Sequence, residues 1–164
     1  MRLILISFGK IKTDGLRRAA DHYLKLLRPW MPFEEIELKS SPVPDKNPLT
    51  RLSIQKKEAD QLVAHLKQNG YPPDRVIFIN ENGRPSTTKE WADRFRHWQQ
   101  SGRSEIIFCI GGSLGFSKEL RESYKEWFNL GSQTMSHELA RVVLFEQLYR
   151  SISFLKGHPY HNEG

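Results

Sequence analysis

The sequence predicts an α/β domain built on a mostly parallel sheet, with helices covering both faces. Three observations predict it. Short apolar runs alternate with stretches of helical periodicity along almost the whole chain. Those runs are near-continuously apolar, as strands read when both faces of a sheet are buried. With 164 residues and 38% hydrophobic content the chain can bury one good core, so residues 1–164 are expected to form a single domain.

RLILISF (Arg2 to Phe8) opens as a strand. In DGLRRAADHYLKLLRPW, residues Leu16, Ala20, Tyr23, Leu24 and Leu27 share one helical face until Pro29, which lacks an amide donor, stops the helix. FEEIELK (Phe33 to Lys39) alternates like a strand, and SSPVPDKNP (Ser40 to Pro48), with three prolines, reads as an exposed loop. A polar helix is expected from Thr50 to Asn69, turning Ala59, Leu62, Val63 and Leu66 inward and closed by Gly70. RVIFIN (Arg75 to Asn80) is a buried strand, and ENGRP after it reads as a turn. Thr87 and Glu90 then have capping-box spacing ahead of Trp91, Phe95 and Trp98, with Gly102 as the helix end. EIIFCI (Glu105 to Ile110) is the next buried strand, and it breaks at Gly111-Gly112 before Ser117 opens a short helix. An irregular segment from Asn129 to Met135 leads into a last helix capped by Ser136 and closed by Lys156-Gly157. Leu139, Val142, Val143, Leu148, Ile152 and Leu155 give that helix a broad apolar face. HPYHNEG follows it, too short to be a domain and rich in imidazole and aromatic groups.

Bulk composition narrows the function classes. No run approaches the ~20 apolar residues of a membrane span, and the N-terminal apolar run reads as a strand rather than a signal peptide. A single cysteine, Cys109, leaves no intrachain disulfide and fits a reducing, cytoplasmic setting. A net charge of +6 suggests a polyanionic partner such as nucleic acid, met by a folded surface because no basic tail is present. Lys10 and Lys12, just after the first strand, are candidate contacts to RNA.

The strand, glycine turn and helix of EIIFCIGGSLGFSKEL resemble a phosphate-binding arrangement. However, the run matches neither the dinucleotide spacing nor the P-loop with its lysine and hydroxyl. Ligands in such sheets sit beyond the carboxyl ends of strands, here at Ile79 to Gly83 and at Ile110 to Gly112. Four stretches, SFGKIK, IGGSLG, SHELARVVLFEQLYR and the closing HPYH, together resemble the SPOUT-class RNA methyltransferases of the RlmH type. Members of that family methylate N3 of a pseudouridine in 23S ribosomal RNA of the large subunit. The resemblance implies a SPOUT fold with a C-terminal trefoil knot, a homodimer built around the knot helices, and S-adenosylmethionine as methyl donor without a metal. It also implies a cofactor pocket at Ile79, Gly111 and the segment Leu130, Gly131, Ser132, Gln133, Thr134 and Met135. The expected substrate is ribosomal RNA or the assembled ribosome, with no membrane involved. The sequence departs from the family at Ser136, where relatives commonly have proline, and at Asn162, where they commonly have a basic residue.

Methyl transfer to an imide nitrogen needs two aligned substrates and a group that takes or stabilises the departing proton charge. The candidates are His137 in the first turn of the last helix, Glu146 and Arg150 one helical turn apart, and Tyr160 and His161 in the tail. Arg150 would neutralise the imide oxygens or a phosphate while Glu146 orients it. Tyr160 or His161 would serve as base or stack on the target ring, from a tail expected to hang free of the core. His158 and His161 lack an acidic or thiol partner, so no metal site is expected. Three other readings stay open from residues alone: a SPOUT enzyme acting on transfer RNA, a noncatalytic RNA- or ribosome-binding protein, and a nucleotide- or phosphate-binding enzyme using GGSLG.

Overall fold

The computed structural model describes residues 1–45 and 47–160. Five strands, β1 (Arg2–Phe8), β2 (Phe33–Leu38), β3 (Val76–Arg84), β4 (Glu105–Ile110) and β5 (Trp127–Phe128), form one sheet in the order β2-β1-β4-β3-β5. Every pairing in it is parallel. The helices between them are α1 (Asp14–Leu27), α2 (Pro48–Gln68), α3 (Thr88–Gln100), α4 (Lys118–Ser123) and α5 (His137–Leu155).

The period of two along each strand splits the core into two layers. Leu3, Leu5, Ile77, Ile79, Ile106 and Phe108 face one side, where they meet Ala20, Leu24 and Leu27 of α1, Trp91, Phe95 and Trp98 of α3, and Leu144, Phe145 and Leu148 of α5. Ile4, Ile6, Phe8, Val76, Phe78, Ile107 and Cys109 face the other, against Ala59, Leu62 and Leu66 of α2 and Leu120 of α4. Each fully buried side chain of this size contributes about 1.5–3 kcal/mol, so both faces are held firmly. Doubly covered strands explain why the sequence reads as continuous apolar runs.

The capping box expected at Thr87 and Glu90 is present, with the Thr87 amide donating to Glu90 Oε2 at 2.7 Å. The helix expected from Thr50 starts earlier, at Pro48, because the Asn47 side chain accepts from the Leu49 amide at 2.9 Å and caps it.

The larger correction concerns ENGRP. It is not a turn: β3 runs on to Arg84, whose backbone pairs with Phe128 of β5. Gly83 permits this, since a Cβ there would stand 2.3 Å from the Phe128 carbonyl carbon. β5 itself is invisible in the sequence because two residues carry no periodicity. Phe78 stacks on Trp127 at 4.5 Å and holds this short edge strand in place.

The buried side of α5 also differs from the expected face. Leu144, Phe145, Leu148, Tyr149 and Ile152 are buried together with Arg141, whereas Leu139 is 40% exposed and Val142 and Val143 are half-buried. One stripe therefore packs on the sheet and a second apolar stripe remains at the surface. No helix among the described residues is long and apolar enough to cross a membrane.

Candidate active site

The carboxyl ends of β3 and β4 and the segment joining β5 to α5 enclose a cavity of about 570 Å³. Its walls are the sequence features singled out above. Ile79 lies in β3, Gly111 follows β4, and Leu130, Gly131, Gln133, Thr134 and Met135 come from the segment before α5. Ser132 is exposed and does not line the cavity. His137, expected as a catalytic group, lies on the wall beside Ser136 and Ala140. Asn80 and Glu81, within the expected Ile79 to Gly83 strand end, and Leu114 and Phe116 of the glycine stretch also line it, as does Arg51, which was not anticipated. Arg51 arrives from a helix remote in sequence, and nothing local marks it.

The glycines act here by closeness. A Cβ on Gly111 would come within 3.3 Å of the Gly115 backbone, and one on Gly112 within 2.5 Å of Glu58 Oε2. The glycine turn is thus pressed flat onto its own return path. From behind, Gln55 donates to the Leu114 carbonyl at 2.7 Å, which fixes the turn to α2. Burial pushes the Glu58 carboxyl up, although it also accepts from the Ser41 amide at 2.9 Å.

The opposite wall hangs from Asn129, whose side-chain amide donates to the Gly83 carbonyl at 3.0 Å. Gly131 then adopts φ +143°, a region that L side chains rarely enter. The backbone amides from Ser132 to Met135 donate to no acceptor among the described residues. They are polar groups available to a ligand. Ser136 replaces the family's proline without cost to this geometry: its φ of −60° is the angle proline imposes, and its hydroxyl accepts from the Leu139 amide at 3.2 Å. His137 is half-buried. Burial and then the nearby Arg141 hold its imidazole below the usual range, so it is neutral around pH 7.

Glu146, Arg150 and Tyr160 come together elsewhere. Glu146 Oε1 accepts from Arg150 Nε at 2.8 Å and pairs with its Nη2. The Tyr160 hydroxyl donates to the same oxygen at 3.3 Å, and the Gln147 amide holds the other oxygen at 2.7 Å. Arg150 also lies over the Tyr160 ring at 4.9 Å. The Glu146 carboxylate raises the Arg150 pKa, and burial raises that of the Tyr160 hydroxyl. The expectation of a tail hanging free is corrected for Tyr160. Its ring packs edge-on against Tyr149 at 4.6 Å, and Tyr149 stacks on Trp30 at 5.1 Å. His161 and Asn162 lie outside the described residues. None of Glu146, Arg150 and Tyr160 lines the cavity. Glu146 follows His137 by nine residues of α5, roughly 13 Å along a helix axis. Within one chain the structure forms two clusters, not one. Among the described residues no group of three or more His, Cys, Asp or Glu side chains is placed to hold a metal ion.

Comparison with known proteins fits this arrangement. The family described as "Predicted SPOUT methyltransferase" matches residues 1–161. A protein of Acetivibrio thermocellus named "Ribosomal RNA large subunit methyltransferase H" is 34% identical over 162 residues, covering 98% of this chain and 99% of the relative. A protein of the same name from Clostridium novyi is 37% identical over 164 residues, with the same coverage. Among solved structures, a protein of Bordetella pertussis Tohama I described as a probable methyltransferase superposes with a TM-score of 0.56 at 14% identity. The match covers 92% of this chain and 96% of that one, and it supports the fold alone. With a family model spanning nearly every residue and relatives alike from end to end, the chain belongs to the SPOUT methyltransferase family.

Proposed function

We propose that this chain uses S-adenosylmethionine to methylate N3 of a pseudouridine in 23S ribosomal RNA of the large subunit, working in the cytoplasm as a homodimer. The observation that carries the reading is the glycine-walled cavity with His137 on its wall, in a chain whose full-length relatives bear the name of a large-subunit ribosomal RNA methyltransferase. The cavity suits a nucleoside-like ligand without phosphates. Its volume lies within the range usual for small-molecule sites, and its wall is apolar at Ile79, Leu130 and Met135. Unused backbone amides from Ser132 to Met135 offer hydrogen bonds to an adenine edge. When bound, adenosylmethionine would supply an electrophilic methyl group.

The chain's own residues supply the rest. The acceptor N3 is a neutral imide and must lose its proton, so a group held neutral at pH 7 beside the cavity is useful. His137 is such a group. The Arg150 guanidinium, oriented by Glu146, would balance the negative charge that spreads onto the imide oxygens. Tyr160 fits a role as stacking surface or hydroxyl donor better than one as base, because its hydroxyl is bonded to Glu146 and raised in pKa.

The two clusters would have to face each other across a chain boundary. A second copy packing on the exposed Leu139 stripe of α5 would do this and would hide surplus apolar surface. The knot expected for the family belongs to the same proposal, since it would bring the cavity loop and α5 into one dimer face. The test combines the purified protein, methyl-labelled adenosylmethionine and ribosomes from cells lacking this gene. Label on N3 of a large-subunit pseudouridine, from a particle with the mass of two chains, is the expected result. Tight ATP binding with silence toward adenosylmethionine, or label only on transfer RNA, would overturn it.

A further inference from the structure

The loop after β1 is fixed more firmly than a surface connection requires. Ser7 pairs with Ile110 at the end of the ladder, so the chain leaves the sheet beside the glycine turn that floors the cavity. Two side chains of α5 then grip it. Arg141, wholly buried, donates to the carbonyl oxygens of Phe8 at 2.9 Å and Gly9 at 2.6 Å, and its charge is met by Glu37 at 3.1 Å. Glu138, in the first turn of α5, accepts from the Thr13 amide at 3.1 Å. Ile11, between the two grips, is buried in the core beneath.

What this framework presents is charge. Lys10 and Lys12 are exposed, and neither takes part in an ion pair among the described residues. Among the described lysines only Lys56, with Asp60 at 3.0 Å, and Lys89, with Asp93 at 3.4 Å, form ion pairs, so Lys10 and Lys12 are set apart by the fixed loop beneath them rather than by lacking a counterion. The hydrogen bonds made by Glu138 and Arg141 and the burial of Ile11 offset the conformational freedom lost in fixing this loop, which leaves the two ammonium groups on a preorganised backbone. They stand on the loop that the first turn of α5, His137's own turn, holds in place, and Lys12 is near enough to disfavour a charged His137.

We propose that Gly9–Thr13 is a built site for the RNA substrate's phosphodiester backbone. Lys10 and Lys12 are its contacts, and Glu138 and Arg141 are positioning residues. The proposal rests on the reading of the chain as an RNA methyltransferase and adds where the strand leading to the target base is held. Phosphate contacts fix register without reading sequence, which suits a loop carrying two flexible cations and no planar side chain. Arg141 is excluded as a contact because its guanidinium is wholly buried and turned onto Phe8, Gly9 and Glu37.

The test uses the full chain with large-subunit ribosomal RNA at several salt concentrations. Without two phosphate contacts to an unpaired strand, the slope of log affinity against log salt falls by about 1.4. The Lys10→Ala/Lys12→Ala variant should therefore lose about sevenfold less affinity than the parent between about 50 and 200 mM salt. Its KM for RNA should rise, with kcat at saturating RNA and affinity for adenosylmethionine unchanged. Glu138→Ala keeps both lysine charges yet should raise KM for RNA in the same way, without lowering cofactor affinity. Equal salt slopes and equal KM in the double variant would overturn the site. A Glu138→Ala variant with the parent's KM would overturn the positioning role. A parent that binds RNA with the expected slope but never methylates it would refute the proposed activity and leave the phosphate site standing.

Discussion

Replacing Gly83 by alanine tests the link between the sheet edge and the cavity. The added Cβ would lie 2.3, 2.5 and 2.6 Å from the carbonyl carbon, oxygen and amide nitrogen of Phe128, closer than the 3.0 Å that real Cβ atoms keep. These neighbours are backbone and cannot rotate aside, so β5 must retreat. Overpacking of this kind costs about 1–3 kcal/mol. Retreat also strains the Asn129 amide bond to the Arg84 carbonyl at 3.1 Å and the Asn129 side-chain bond to the Gly83 carbonyl at 3.0 Å. Each such bond is worth about 0.5–1.5 kcal/mol, and with both weakened to about half the terms together give about 3 kcal/mol. For a domain of this size that lowers Tm by roughly 6–12 °C. Asn129 leads directly into Leu130–Met135, so affinity for adenosylmethionine should fall about tenfold, a loss of about 1.4 kcal/mol. Calorimetric melting and cofactor titration read both effects. Gly15→Ala is the control: nothing lies within 4 Å of the new Cβ, and alanine is favoured over glycine in a helix by about 0.5–1 kcal/mol. A Gly83→Ala protein that melts with the parent and binds the cofactor equally well would refute the reasoning.

Two further outcomes are expected. Burial raises the Glu58 carboxyl above its ordinary 4.5, so the native state holds this proton more tightly than the unfolded chain and loses stability as pH climbs from that value through the raised one. Glu58→Gln does not titrate, so its stability relative to the parent, measured by urea melts, should grow from about pH 4 to pH 7; a constant difference would contradict the assignment. Removing residues 158–164 should cut kcat/KM for RNA by roughly 5–150-fold, the loss of one stacked base, while leaving cofactor affinity intact, since Tyr160 stands outside the cavity wall. Full activity in the shortened chain would move catalysis to His137, Glu146 and Arg150 alone.

Much of this architecture is legible in the residues, for identifiable reasons. β1 and β4 match their expected limits because an apolar strand buried on both faces has no competing reading. The start of α5 is legible because Ser136 caps by its own chemistry, whereas the role of Leu130 to Met135 is implied by the family resemblance and not by any local pattern. ENGRP is the opposite case. Asn-Gly is a turn signal only where no partner strand claims the backbone, and Gly83 is there to let Phe128 approach. Arg51 is invisible because its contribution depends on how α2 lies across the sheet. Arg141 is hidden for a different reason. An arginine inside a charged-looking helical stretch reads as solvated, and its burial depends on glutamates from β2 and carbonyls at the end of β1, more than a hundred residues away.

The strand order also bears on how the protein is made. β1 pairs with β2 soon after both exist, but its other neighbour is β4, and the contact between Arg2 and Glu105 spans 103 positions. At about 5–20 residues synthesised per second, one side of β1 stays open for roughly 5–20 s. During that interval Leu3 to Ile6 present an unpaired apolar ribbon to any other nascent chain. The finished edge is better guarded, since β2 carries Glu34, Glu35 and Glu37 along its length. The fold therefore completes itself late, from its centre, and its yield in a cell depends on the pace of translation as well as on the stability of the final sheet.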